Sequence, residues 1–209
     1  SSSMGFGRVT RPKQLVSAEF ATTLALVLAR GGNWVGAVLF GDTVERTMPP
    51  RHGRGQVLAL ARALQSPPTP SHEPTDLGAV LRAVGGMARQ RALVLVVSDF
   101  VTRPGWERPL TMLARRHEVV AIQVVDAAEG DLPDAGLIAV ADAETGEQVL
   151  VDTGDAQFRK RLRELTIARQ RQLVETVARA GIPLHVLATD EEIVAALLRM
   201  ARLRGRWHR

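Results

Sequence analysis

The 209-residue sequence has no cysteine and no tyrosine. The missing cysteine excludes a disulfide framework, a thiolate zinc site and a cysteine nucleophile together. Aromatic residues make up only 4% of the chain, too few for the stacking platform of a single-strand nucleic-acid binder. No apolar run approaches the ~20 residues a bilayer span needs, and the first residues lack the apolar core of a signal peptide. A soluble, cytoplasmic protein is therefore expected. The five histidines (His52, His72, His117, His185, His208) show no metal-ligand spacing, and no glycine-rich phosphate loop follows a strand. Gly5-Phe6-Gly7 lacks a third glycine. With no base placed beside a nucleophile, the chain is not expected to be an enzyme.

What is present is a chain able to bury a sizeable core. Apolar residues account for 45% and charged ones for 23%, a balance that argues against disorder as the main state. The net charge of +5 is local. Arg199, Arg202, Arg204, Arg206 and Arg209 fall in the last eleven residues with no acid, and they account for the whole excess. Residues 117–158 carry ten acids and no Lys or Arg, and Arg159-Lys160-Arg161 follows at once. Arginines at a helix end complement the helix dipole. The acidic stretch reads either as a solvated surface or as a docking surface for a basic partner.

Four short, β-branched apolar runs occupy 34–40, 93–97, 119–125 and 184–188. They are continuous rather than alternating, which suits strands covered on both faces. Helical stripes lie between them: Val16, Phe20, Leu24 and Val27, closed by Gly31-Gly32; Leu77, Leu81, Val84 and Ala88; Leu110 with Leu113. Residues 159–180 read as a long helix closed by Gly181, with Leu162, Leu165, Leu173 and Val177 inward, and 191–204 as the last helix. The alternation predicts an α/β fold: a doubly wound, mostly parallel sheet with helices on both faces, in one domain over 1–209. Val44–Met48 is expected to be a short edge strand ended by Pro49-Pro50. Residues 137–152 are expected to form an inserted β-hairpin around Glu144-Thr-Gly-Glu147. Ser66–Pro74 reads as a loop. The chain goes almost directly into a helix, so the first strand of such a domain is expected upstream of Ser1.

In open α/β sheets ligands bind at the carboxyl ends of the strands. There the sequence offers Gly41-Asp42, Ser98-Asp99, Asp126 and Thr189-Asp190, with hydroxyls at Ser1, Ser3 and Thr75. Taken singly, Thr75-Asp76 is also an ordinary helix N-cap, and Asp99 a strand-end turn residue. Their order and spacing together resemble the von Willebrand factor A-like domain, and more closely the bacterial domain-of-unknown-function family numbered fifty-eight. Ser1 and Ser3 fit the serines of Asp-x-Ser-x-Ser, Thr75 in Pro-Thr-Asp-Leu the distant threonine, and Asp99 in Val-Val-Ser-Asp-Phe the distant aspartate. Val38-Leu-Phe-Gly-Asp42, Met48-Pro-Pro-Arg-His-Gly-Arg54, Arg115-Arg-His-Glu-Val119 and Thr189-Asp190 also look like the family. The motif's first aspartate would fall two residues before Ser1.

The resemblance implies a metal-ion-dependent adhesion site holding Mg²⁺ (or Mn²⁺) through Ser1, Ser3, Thr75 and Asp99. It also implies a protein partner that offers a carboxylate, a MoxR-type AAA+ ATPase being the class such proteins accompany. The expected function is then a non-enzymatic, metal-dependent protein-interaction module. Without the first strand, the exposed strand edges are expected to favour self-association and weak Mg²⁺ binding. Two other readings remain. A metal-assisted phosphate-ester hydrolase would place a second carboxylate and a lysine near Asp99. Nucleic-acid binding through the Arg-rich end (199–209) would show steep salt dependence.

Overall fold

The computed structural model describes residues 11–65, 75–126, 137–141, 148–152 and 154–207. Helix α1 (Lys13–Arg30) leads into an antiparallel pair, β1 (Val35–Phe40) and β2 (Val44–Arg51), followed by α2 (Arg54–Gln65). Then come α3 (Leu77–Met87), β3 (Leu93–Ser98), α4 (Glu107–Arg116) and β4 (Glu118–Val125). A hairpin of β5 (Leu137–Ala141) and β6 (Gln148–Asp152) precedes α5 (Ala156–Arg179), β7 (Leu184–Ala188) and α6 (Ile193–Trp207).

The centre is a three-stranded parallel sheet in the order β3-β4-β7. It forms because its strands are apolar on both sides and connected by helical crossovers. Val94, Val96, Val119 and Ala121 face a core completed by Leu77, Leu81, Leu110, Leu113, Leu173 and Val177 from α3, α4 and α5. On the other side Ile122, Val124 and Leu187 pack with Val16 and Phe20 of α1 and with Ile193, Ala196 and Met200 of α6. Helices thus cover both faces of the sheet. Full burial of a side chain such as Leu110 or Phe20 is worth about 1.5–3 kcal/mol.

Several expectations need correction. Among the described residues the 34–40 run does not join the parallel sheet; as β1 it pairs antiparallel with β2. Nor do Pro49 and Pro50 end β2, which continues through both to Arg51. Proline lacks the donor for one ladder bond, and an edge strand tolerates that loss. The 12-residue helix α2 went unread, because its inward residues Val57, Leu60 and Ala63 sit among Arg54, Arg62 and Gln56 directly after a turn. Leu165 is not inward but 57% exposed, and Val27 at the end of the α1 stripe is 56% exposed. The hairpin lies where expected, with Leu137 opposite Asp152 and Ala141 opposite Gln148. Its turn and the 66–74 stretch lie outside the described residues.

Candidate functional site

The carboxyl ends of β1 and β3 meet at one edge. The Thr75 hydroxyl donates to the Gly41 carbonyl, which follows β1, at 2.8 Å, and the Asp76 amide donates to the Asp42 carbonyl at 2.8 Å. Thr75 also forms a parallel bridge with Thr102, past the end of β3, and the Arg103 amide donates to the Thr75 carbonyl at 3.0 Å. The entrance to α3 therefore ties the ends of both strands together, and β1 and β3 present their carboxyl ends to the same side.

The helix cap and the threonine have separate tasks. Asp76 is the N-cap of α3, its carboxylate accepting from the Ala79 amide at 2.8 Å. That capping bond satisfies one of the helix's open donors. Thr75 is thus not the cap. Its hydroxyl is committed as a donor to Gly41, which leaves its oxygen lone pairs as acceptors.

Asp99 sits in a tight turn. One carboxylate oxygen accepts from the Val101 amide at 3.1 Å, and the Ser98 hydroxyl oxygen accepts from the Phe100 amide at 3.0 Å. Phe100 takes φ +59°, in the left-handed region that a bulky residue rarely adopts. Its ring is held against the buried Trp106, centroids 5.8 Å apart. Packing thus over-determines a strained backbone beside Asp99, a pattern typical of residues held in place for a task. The sequence reading missed Phe100, since no local motif marks a phenylalanine for positive φ.

The second Asp99 oxygen faces the Lys13 ammonium at 4.0 Å, from the first turn of α1. This pair is partly solvated and contributes little to stability. The contact places the start of α1 at this edge. Beside Thr75, the Thr102 hydroxyl is buried and makes no hydrogen bond. A buried oxygen without a partner is costly unless something completes it. Further along the edge the Thr189 hydroxyl, fully buried, lies 3.4 Å from the Asp126 carboxylate.

The structure thus brings Thr75 and the segment carrying Asp99 together. Ser1 and Ser3 lie outside the described residues. Among the described residues no cluster of three or more His, Asp or Glu is placed to hold a metal ion. What the edge offers instead is a set of oxygens: the Thr75 hydroxyl, the Asp99 carboxylate and the orphaned Thr102 hydroxyl. Such an all-oxygen set would suit a hard cation that keeps several waters rather than a soft, nitrogen- or sulfur-preferring one.

In fold and site the protein is a mixed α/β domain with a parallel three-stranded sheet, whose polar residues collect at the strands' carboxyl edge. Residues 1–172 match the family described as "Protein of unknown function DUF58", and the chain belongs to that family. It is 30% identical over 207 residues to uncharacterized protein Rv1480 of Mycobacterium tuberculosis and to uncharacterized protein Mb1516 of Mycobacterium bovis. The match takes in 99% of this chain and 65% of either relative, so the chain spans about two-thirds of their length. Uncharacterized protein MAV169 of Mycobacterium avium is 34% identical over 160 residues, 76% of this chain and 94% of that protein. Among solved structures, the conserved hypothetical protein BatB of Bacteroides thetaiotaomicron shares the fold at TM-score 0.50 and 14% identity, over 92% of this chain and 89% of that one. An aerotolerance-related membrane protein of Bacteroides fragilis does so at 0.52 and 16%, over 87% and 85%.

Proposed function

We propose that the chain is a von Willebrand factor A-like, non-enzymatic interaction module that docks a protein partner through a bound Mg²⁺ or Mn²⁺. The observation that carries this reading is the joining of Thr75 to the Asp99 segment at the carboxyl ends of β1 and β3, with the orphaned Thr102 hydroxyl beside them. Thr75 and Asp99 would hold the ion together with Ser1 and Ser3. When bound, the ion supplies an open coordination position for a carboxylate from outside the chain.

The chain's own residues prepare that site. Gly41 orients Thr75, the Val101 amide orients Asp99, and Phe100 braces the turn. Neutral hydroxyls with few carboxylates would leave the ion under-neutralised, which favours an acidic partner group over turnover. The partner class is a MoxR-type AAA+ ATPase, following the family resemblance, and the place of action is the cytoplasm. No described helix is long and apolar enough to cross a membrane.

One observation favours the hydrolase reading. Lys13 stands 4.0 Å from Asp99, where a phosphate-ester hydrolase would want a cationic side chain. A single set of experiments separates the two. Calorimetric titration with MgCl₂ should give a binding isotherm that Asp99→Asn abolishes, and p-nitrophenyl phosphate should not be turned over. Because weak Mg²⁺ binding is expected of the 209-residue chain, the titration is made on a chain of its relatives' full length. Absence of any Mg²⁺ isotherm there overturns the module reading, and Asp99-dependent phosphatase activity establishes the hydrolase.

A further inference from the structure

The edge opposite the candidate site carries a second feature. Helix α1 starts at the carboxyl edge, where Lys13 meets Asp99, and its 18 residues run ~27 Å to Arg30. There Gly31 and Gly32 turn the chain, and Trp34 enters β1. Because Val35 is paired with Arg51, β2 ends at this same edge, and Arg54 begins α2 immediately after it. The Gln56 side chain donates to the carbonyls of Val35 and Pro49, both at 3.0 Å, fastening the first turn of α2 there.

Trp34 is 67% exposed, its ring in a T-shaped contact with His52 at a centroid distance of 5.5 Å. Leu58 on α2 is 59% exposed, and Val27 on the last turns of α1 is likewise exposed. Arg30, Arg51 and Arg54 are exposed among them. Neither 27–34 nor 51–58 contains a single acid. A solvated helix end does not need an exposed tryptophan, and three large apolar side chains cost free energy if left in water.

We propose that this end of the domain is a docking surface for an anionic lipid bilayer. Tryptophan favours the headgroup–acyl boundary, where its apolar body is buried and its N–H stays wet. Arginines around it meet lipid phosphates while their stems lie along apolar surface. Within these two segments, the mixture of exposed apolar residues with arginines and no acid fits a bilayer better than a nucleic acid, which would use phosphate contacts without Leu58 and Val27. Docking here would turn the carboxyl edge, with Thr75 and Asp99, away from the membrane and toward a partner. The inference does not depend on the cation site.

The test is vesicle flotation with the 209-residue chain, using phosphatidylcholine vesicles with and without roughly one quarter phosphatidylglycerol, a content giving a negative surface potential. Binding is expected only with the anionic lipid, falling as salt rises, and with a blue shift of tryptophan emission. Each arginine near such a surface changes affinity about fivefold, so Arg51→Glu with Arg54→Glu should weaken binding at least ~25-fold. Trp34→Ala should remove the blue shift, with an unchanged far-ultraviolet circular dichroism spectrum. Equal binding to neutral vesicles, no flotation, or a blue shift that survives Trp34→Ala would each overturn the proposal. So would flotation lost on Arg204→Glu with Arg206→Glu but kept in the Arg51/Arg54 variant, or capture by duplex DNA in preference to vesicles.

Discussion

The Thr75 hydroxyl reaches 34 residues back along the chain to the Gly41 carbonyl at 2.8 Å, while its neighbour Asp76 caps α3. Two adjacent polar residues thus have different duties, one tertiary and one local. Their variants should separate accordingly. Thr75→Val leaves the Gly41 carbonyl short of a partner and should cost about 1 kcal/mol. Asp76→Ala removes the cap and should cost a similar ~1 kcal/mol. Urea midpoints report both losses. Only Thr75→Val should weaken the Mg²⁺ isotherm, and Thr75→Ser should restore both properties. Equal loss of Mg²⁺ binding in Asp76→Ala would mean that stability, not the hydroxyl, governs the site.

His117 lies between α4 and β4, 4% exposed, and neither ring nitrogen makes a hydrogen bond. Burial, and to a lesser degree the adjacent Arg116 charge, lowers its pKa from the usual 6.5. The unfolded chain therefore binds a proton that the native state resists. Stability is fully present above the ordinary histidine pKa and is lost as pH falls from there through the lowered native value. His185, lowered by partial burial and by Arg199, acts in the same direction. Thermal unfolding between pH 7.5 and 5 should show a falling midpoint, and His117→Phe should flatten part of that fall while His185→Gln flattens less. A pH-independent midpoint in the wild-type chain would contradict the burial argument.

Gly36 lies on β1 within the irregular part of its pairing with β2. A Cβ built there would meet the Pro50 nitrogen at 2.9 Å and the Met48 carbonyl oxygen at 3.0 Å. Both are backbone atoms of the partner strand and cannot swing aside. Gly36→Ala should therefore cost roughly 1–3 kcal/mol, the usual range for overpacking. Gly55→Ala is a fair control, since nothing lies near its added Cβ and it sits in α2, where alanine is preferred. The control should be neutral or stabilising by urea unfolding.

Much of the sheet was legible because its strands follow one rule. Residues 93–97, 119–125 and 184–188 are apolar but for Gln123 and His185, and helices pack on both faces of the sheet they form, although Val186 at its edge stays exposed. The same rule misplaced 34–40, whose composition is no different but whose nearest partner is the hairpin strand β2. Composition reports burial, not pairing. Proline was over-read at 49–50, since an edge strand accepts it. The Thr75–Asp99 relation was visible only as a motif. What holds it (the Gly41 carbonyl, the Thr102 bridge, the strained Phe100) comes from residues far apart in sequence with no spacing rule to announce them. Lys13 beside Asp99 was missed for the same reason.

Among the described residues β1 pairs only with β2, and β3 is the end strand of its sheet. All six residues of β1 are apolar or glycine, yet none is fully buried. Helix α1 touches both β1 and β3, so the two edges share a covering helix without bonding to each other. An open backbone edge with apolar side chains is a template for another strand. We therefore expect the 209-residue chain to associate with itself in solution, and a chain of its relatives' full length to associate less if part of that extra length supplies a strand. Sedimentation velocity over a range of concentrations reads the first effect directly. Val38 and Phe40 pack toward the α3–α4 core, which leaves Leu39 on the opposite side of β1. Leu39→Lys adds the kind of charge that natural edges use against pairing, and it should shift the distribution toward monomer. A monomer at every concentration, with slow amide exchange along β1, would show that the edge is already closed and would remove the basis for this expectation.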